Sequence, residues 1–224
     1  MLGSSNSVTS FHKQFQPNDI SDCSLYLTVA DGLELDSNYV DSWRDQSGNG
    51  LFAVAPANGK RPTYNGTHLT FDGSNDYMHI QTTTTQNDDA REITLDLDNG
   101  WTFIGIYTSD DWDGDFQAIS GDPDGSLDFI RHNEGADTMT VKSANDVDVF
   151  TLNAALTDSR YYLIEVSRDD EGATTIYIDG IAQADTEGRA NAMKVEEIGG
   201  KGGAANALDG NIKHIVLYNK ALSV

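Results

Sequence analysis

From residue 24 onward, short runs of β-branched and aromatic residues alternate with clusters of Gly, Asp, Asn and Ser. The runs are SLYLTV (24–29), HLTF (68–71), YMHIQT (77–82), WTFIGIY (101–107), SLDFIR (126–131), YYLIEVSR (161–168), TTIYID (174–179) and NIKHIVLY (211–218). They carry the partial two-residue periodicity of strands with one buried face. Between them lie QSGNG, DGSND, SDDWDGD, GDPDG, RDDEG and IDG, all built from turn-forming residues. No long amphipathic helical pattern interrupts them. Many short strands with this punctuation predict an all-β fold, a two-sheet antiparallel jelly-roll sandwich.

One segment predicts its own register. In YYLIEVSR, Tyr162, Ile164 and Val166 share one face, and Tyr161, Glu165 and Ser167 share the other. Ile176 and Ile178 supply the matching apolar face of the next strand, and Gly172 offers a positive-φ position in the turn between them. Asp179-Gly180 is the dipeptide favoured by a two-residue type I′ turn. A slip of one residue would turn the apolar face to solvent, so the pairing is well specified.

Composition changes the picture in three ways. At 224 residues the chain suits one large sandwich, able to bury about 70% of the surface its unfolded form exposes. Cys23 is the only cysteine, which excludes an internal disulfide and a cysteine-based zinc cluster, and predicts a small hydrophobe at that position. The net charge of −22, from 14 basic and 36 acidic residues, opposes nucleic-acid binding, which depends on clustered Lys and Arg. It favours a soluble protein, or one that meets divalent cations or basic surfaces. Neither a signal peptide nor a run of about 20 apolar residues is visible, so synthesis in a cytoplasm without membrane insertion is expected. Residues 1–20 are polar, with Phe11 and Phe15 as the large apolar anchors. They read as an attachment arm ahead of a jelly-roll domain at 21–224.

An ordered set of phrases adds a family resemblance. They are W-x-D-x-S-G-N-G (Trp43, Asp45, Ser47, Gly48, Asn49, Gly50), R-P-x-Y (Arg61, Pro62, Tyr64) and L-x-F-D-G-S-N-D-Y (Leu69 to Tyr77). WTFIGIY, the hairpin above and a closing L-D-G-N-I-K-H-I-V-L-Y-N-K-A-L (Leu208 to Leu222) follow. Together, over about residues 24–222, the chain resembles the laminin-G-like, concanavalin A-like lectin/glucanase superfamily. Within these phrases Trp43 reads as a core aromatic. Gly73 reads as a turn residue, and Asp72 and Asp76 as caps of local backbone donors.

The opening MLGSSNS and the following QPNDISDCSLYL are similar to segments of tailed-phage structural proteins. That resemblance implies a non-enzymatic virion protein displayed on the particle surface, as capsid decoration or fibre. Its partners would be other virion proteins of the capsid or tail. The alternative is a glycan-binding adhesin or lectin module for host-surface polysaccharide. Sandwich edges invite strand pairing, so a homo-oligomer is expected.

Four places come into question for chemistry. Asp110, Asp111, Asp113 and Asp115 in one loop, with Asp122, Asp124 and Asp128 in another, are candidate calcium ligands. Calcium takes six to eight oxygens, and an Asp-rich loop turning at Gly supplies them; solvated turns are the plainer reading. Glucanases of the superfamily use a strand motif E-x-D-x-x-E. Glu34-Leu35-Asp36 lacks the last Glu, and Glu92, Asp96 and Asp98 do not form the pattern, so no enzyme is expected. GGKGGAANA does not complete a phosphate-binding G-x-x-x-x-G-K-[ST], and His12, His68, His79, His132 and His214 show no metal spacing. For a glycan, Trp112 is the candidate platform, with Asp113 beside it as a hydrogen-bonding partner; its alternative is a tryptophan folded back under its loop.

Overall fold

The computed structural model of the chain describes residues 16–86, 91–96, 98–114, 116–122, 128–135, 137–143, 146–188, 191–202 and 206–222, without the side chains of 185–188. Phe11 and Phe15 lie outside the described residues. In chain order the strands begin with β1 (Cys23–Thr28), β2 (Leu33–Asp36), β3 (Tyr39–Arg44), β4 (Phe52–Val54), β5 (Thr63–Tyr64) and β6 (Leu69–Asp72). Then come β7 (Met78–Gln81), β8 (Ile93–Leu95), β9 (Trp101–Ser109), β10 (Gln117–Gly121), β11 (Phe129–His132), β12 (Thr138–Ser143) and β13 (Asp146–Thr151). The last six are β14 (Tyr162–Arg168), β15 (Ala173–Ile178), β16 (Ile181–Gly188), β17 (Met193–Val195), β18 (Glu197–Ile198) and β19 (Asp209–Tyr218). Every pairing among them is antiparallel. The all-β class is as the sequence pattern predicts.

β19 organises the first layer. One of its edges pairs with β9 from Gly210↔Ser109 to Tyr218↔Thr102. Its other edge is shared, with β6 along Asp209 to Ile212 and β1 along His214 to Tyr218. Beyond β9 follow β14, β15 and β16. The second layer runs β2, β3, β4, β7, β18, β10, β11, β12, β13. The short β5 pairs with both β6 and β3, so the hydrogen-bonded ladder passes without a break from one layer to the other. At the far side Asn153 ties the layers, its backbone N–H donating to Gln183 Oε1 at 2.7 Å and its Oδ1 accepting from the Ala184 N–H at 3.1 Å.

Alternation along the strands fills the space between the layers. Leu25, Leu27, Phe103, Tyr107, Ile164, Val166, Ile215 and Leu217 from the first layer meet Trp43, Ile80, Ile119, Ile130, Met139, Val141 and Phe150 from the second in one cluster. β8 and β17 form a separate two-stranded pair whose Leu95, Met193 and Val195 join the same core. The predicted hairpin is present in its predicted register, with Ile164↔Ile178 and Val166↔Ile176. Asp179 and Gly180 both take positive φ, 51° and 78°, as a type I′ turn requires. Gly172 has φ 93°.

The W-x-D-x-S-G-N-G phrase acts as a staple between layers. Trp43 is fully buried and donates from Nε1 to the Thr28 carbonyl at 2.8 Å. Asp45 accepts from the Tyr26 N–H at 2.8 Å, and Asn49 Nδ2 donates to the Cys23 and Ser24 carbonyls, so the turn after β3 is pinned to β1. On the outer side of the first layer, Ile20, Cys23 and Leu222 pack on Tyr26, Val216 and Tyr218. Tyr218 Oη donates to the Pro17 carbonyl at 2.8 Å, so residues 17–20 belong to the packed body. Burial and then the charge of Asp45 push the Cys23 thiol up to about 12, which leaves almost no thiolate to react.

Arg168 ends β14 on the inward face, where its register partners are Trp101 and Thr174. All three side chains are fully buried, and Arg168 Nε, Nη1 and Nη2, Trp101 Nε1 and Thr174 Oγ1 find no hydrogen-bond partner. Burial lowers the Arg168 pKa against the opposing charges of Asp148, Asp146 and Asp169.

The β9–β19 approach is close enough to be tested. A Cβ on Gly210 would fall 2.1 Å from the Thr108 carbonyl oxygen. Gly210→Ala is expected to lower stability by about 1–3 kcal/mol, read from the urea midpoint. Gly59→Ala, where an added Cβ meets nothing within 4 Å, is expected to stay within about 0.5 kcal/mol of the parent.

Candidate functional site

The crossover between layers leaves a cleft of about 540 Å³, lined by Tyr39, Asn58, Gly59, Arg61, Thr63, Thr70, Asp72, Asn75 and Asp76. That volume lies within the usual range of ligand sites. β3 contributes Tyr39, β5 contributes Thr63 and β6 contributes Thr70 and Asp72. A single turn of 3-10 helix at Asn58–Lys60 closes one side. The R-P-x-Y and F-D-G-S-N-D-Y phrases therefore both face this cleft.

Local chemistry fixes its walls. Asp72 Oδ1 accepts the backbone N–H groups of Ser74 (2.9 Å), Asn75 (2.9 Å) and Asp76 (3.3 Å), which curls the FDGSND turn around one carboxylate. Gly73 has φ 69° at the start of that turn, and a Cβ there would lie 2.7 Å from Asp209 Cβ. Asp72 and Asp76 thus both cap local backbone donors as their sequence context predicts, Asp72 accepting from the Asp76 N–H and the Asp76 carboxyl from the backbone of Asp72.

Arg61 holds the opposite wall. Its Nη1 donates to Asp41 Oδ1 at 2.7 Å and Asp36 Oδ2 at 3.2 Å, and its Nε donates to the Asn58 carbonyl at 3.1 Å. The guanidinium then sits 4.9 Å from the centroid of the Tyr39 ring. This cation–π contact orients a tyrosine that is 43% exposed. Asn75 Oδ1 is buried in the wall with no hydrogen-bond donor.

The two carboxyls of the cleft are driven apart. Burial pushes Asp72 up, but the backbone hydrogen bonds from Asn75, Ser74 and Asp76 outweigh it and hold Asp72 below the usual carboxylate range. Burial, then the charge of Asp72, pushes Asp76 up to about 7. Near neutrality the cleft presents one fixed carboxylate and one carboxyl able to donate or accept.

The residues singled out from sequence lie elsewhere. Trp112 is folded back under its loop with 1% exposure. Its Nε1 donates to the Thr157 carbonyl at 3.0 Å, and its ring packs edge-on against His132 at 4.2 Å between centroids. The expected exposed platform is corrected: the indole completes the core beside Tyr107 and Tyr162, while its neighbours Asp111 and Asp113 are exposed. Burial lowers His132 to about 3, so it is a neutral core imidazole.

Asp110 and Asp111 gather around Asp209, which burial and then Asp110, Asp111 and Asp72 push up. Asp110 Oδ1 accepts from Ser159 Oγ at 3.0 Å. Asp122 and Asp128 are 1% exposed, and Asp128 Oδ2 accepts from the Lys194 N–H at 2.9 Å. Asp115 and Asp124 lie outside the described residues. Among the described residues no three His, Cys, Asp or Glu side chains are grouped to hold a metal. Of the scattered acids, Glu34 accepts from Ser42 and Glu92 from Lys194.

Comparison with known proteins places the fold. No family model and no curated sequence matches the chain. Among solved structures it is similar to Trypanosoma rangeli sialidase, at 15% identity and TM-score 0.58, over 91% of this chain and 31% of that one. That enzyme has also been solved in complex with sialic acid, which aligns at 14% identity, TM-score 0.58, over 91% of this chain and 32% of that one. It is also similar to the receptor binding domain of botulinum neurotoxin D, at 14% identity and TM-score 0.60, over 92% of this chain and 50% of that domain. The chain thus spans about a third of the sialidase and half of the toxin domain. At these identities the likeness establishes a β-sandwich fold.

Asp76 gives the cleft a measurable signature. Its carboxyl titrates at about 7 in the folded chain against an ordinary 3.8. At this group the native state therefore keeps a proton that the unfolded chain has lost, and the contribution of Asp76 to stability falls as pH rises from about 4 to about 7. Asp76→Asn is expected to flatten that fall and raise the urea midpoint at pH 8, measured as a pH series of unfolding curves.

Proposed function

We propose that the chain is a non-enzymatic, glycan-binding module of the laminin-G-like, concanavalin A-like kind, with the Tyr39–Arg61 cleft as its sugar site. One observation carries this reading. An exposed tyrosine ring is held in place by a triply anchored arginine, in a cleft also lined by Thr63, Thr70 and Asp76. An aromatic face takes the apolar side of a sugar ring. The hydroxyls of Thr63 and Thr70 and the carboxyl of Asp76 suit its hydroxyl groups.

Binding without turnover is favoured by the state of the carboxyls. Glycoside hydrolysis uses a pair, one as acid and one as base or nucleophile. Here Asp72 is committed to three backbone donors, which leaves Asp76 alone to move a proton. The fold-level likeness to a sialidase and to a toxin receptor-binding domain is compatible with this reading. We further propose that the module is carried on a virion surface, where it would serve as an adhesin; the phage-like opening segments of the sequence are what support that placement.

A glycan microarray probed with the full chain tests the cleft. Binding to a defined set of glycans is expected, and Tyr39→Ala should weaken it at least roughly tenfold, a loss of about 1.4 kcal/mol, by calorimetry on the best glycan. Failure to bind any glycan, or a Tyr39→Ala chain that binds as well as its parent, would overturn the reading.

A further inference from the structure

A second feature lies on the outer face of the second layer, on strands that do not contribute to the cleft. In β11, Ile130 and His132 point inward to the core, so Phe129 and Arg131 face outward. The Arg131 guanidinium lies 4.0 Å from the centroid of Phe116 and 4.7 Å from that of Phe129. Lys201 Nζ lies 4.3 Å from the centroid of the same Phe129 ring. Lys142, the cross-strand partner of Phe129, completes the group. The segment carrying Lys201 is part of GGKGGAANA, pressed so tightly onto β10 that a Cβ on Gly121 would lie 2.7 Å from the Gly200 carbonyl oxygen.

This group runs against the composition of the chain. Three of only 14 basic residues converge in a molecule of net charge −22. Burial, then the charges of Arg131 and Lys142, lower the Lys201 pKa. Among the described residues, no carboxylate pairs with Arg131 or Lys201. Arg131 is positioned instead by neutral amide oxygens, donating to Asn133 Oδ1 at 3.3 Å and Asn206 Oδ1 at 3.5 Å. Arg131 and Lys201, like charges with no paired carboxylate among the described residues, repel one another, and an anion between them would remove that repulsion. Val147 and Val149, 48% and 51% exposed on β13, extend the same face with apolar surface.

We propose that this face is a second binding site, for the carboxylate or sulfate groups of an acidic polysaccharide. The inference depends on the cleft reading only in taking a polysaccharide as partner. A guanidinium gives an anionic oxygen two parallel donors, and the aromatic base, in which Phe129 is buried beneath the cations, keeps them partly desolvated, where they attract an anion more strongly. Nucleic acid fits less well. Phe129 is buried beneath Arg131 and Lys201 and offers bases no surface to stack on, and three charges on so acidic a chain give little purchase on a phosphate backbone.

The test uses the full chain on immobilised polygalacturonate, dextran sulfate, neutral dextran and a single-stranded DNA oligonucleotide. Binding to polygalacturonate, dextran sulfate or both is expected, weakening as salt rises, and the two arms tell a carboxylate from a sulfate preference. Lys142→Glu/Lys201→Glu should reduce that binding at least roughly tenfold. Lys201→Ala, a milder change with thermal unfolding as the folding control, should reduce it several-fold. The proposal is overturned if neither acidic polymer binds, if the charge-reversed chain binds them as its parent does, or if the oligonucleotide binds as tightly as the polysaccharides. Neutral-glycan binding, which depends on the cleft, is scored separately in the same variants, so either reading can fail while the other stands.

Discussion

The structure depends on the pairing of one strand that arrives last in the chain. β19 gives one whole edge to β9 and divides the other between β1 and β6. Its inward residues Ile212, Ile215 and Leu217 are fully buried in the shared core. Backbone donors and acceptors removed from water must be paired, and this strand is paired along both of its edges. Because β6 leads through β5 to β3, the same strand also anchors the crossover to the second layer.

The cleft is a by-product of that crossover. Two layers joined by a two-residue strand cannot be packed flush at the joint, and the gap is walled by whichever side chains the joining segments carry. Here those are an aromatic ring, two hydroxyls, an amide and two carboxyls. Arg61 and Asp72 are spent on rigidity, one clamping β3 surroundings to the 3-10 turn and the other curling its own loop. The groups left to meet a ligand are thereby held by residues that need not move. Sites whose contacts are fixed beforehand lose less entropy on binding.

Much of the fold was legible because its strands follow the two-residue period. β14 and β15 were readable down to register, since Ile164, Val166 and Ile176 alternate cleanly and Asp179-Gly180 specifies its turn. β12 and β13 were not. Thr140, Ser143 and Asp148 are buried polar residues, and Val147 and Val149 are exposed apolar ones, so the pattern of TMTVKS and DVDVFT is inverted in places. β3 was read only through Trp43, because YVDSWR has too few apolar positions to show a period. The site was less legible than the fold. FDGSNDY was recognisable as a turn and RPTY as a phrase of the family resemblance, but nothing local in them shows that Tyr39, from an earlier strand, would share their cleft. Trp112 misled for a related reason: its acidic neighbours describe the loop surface, whereas the ring itself fills space beside His132.

The basic face in an acidic chain has a consequence for the speed of encounter. Beyond a Debye length of about 8 Å at physiological salt, an approaching polyanion senses the whole molecule and is repelled. Within that distance it senses Arg131, Lys142 and Lys201 and is drawn in. Added salt would screen the outer repulsion and the inner attraction alike, hastening arrival while shortening residence. A surface of this kind discriminates by contact rather than by approach. It would hold an acidic polymer already crowded against it, as on a coated cell, far better than it would capture one from dilute solution.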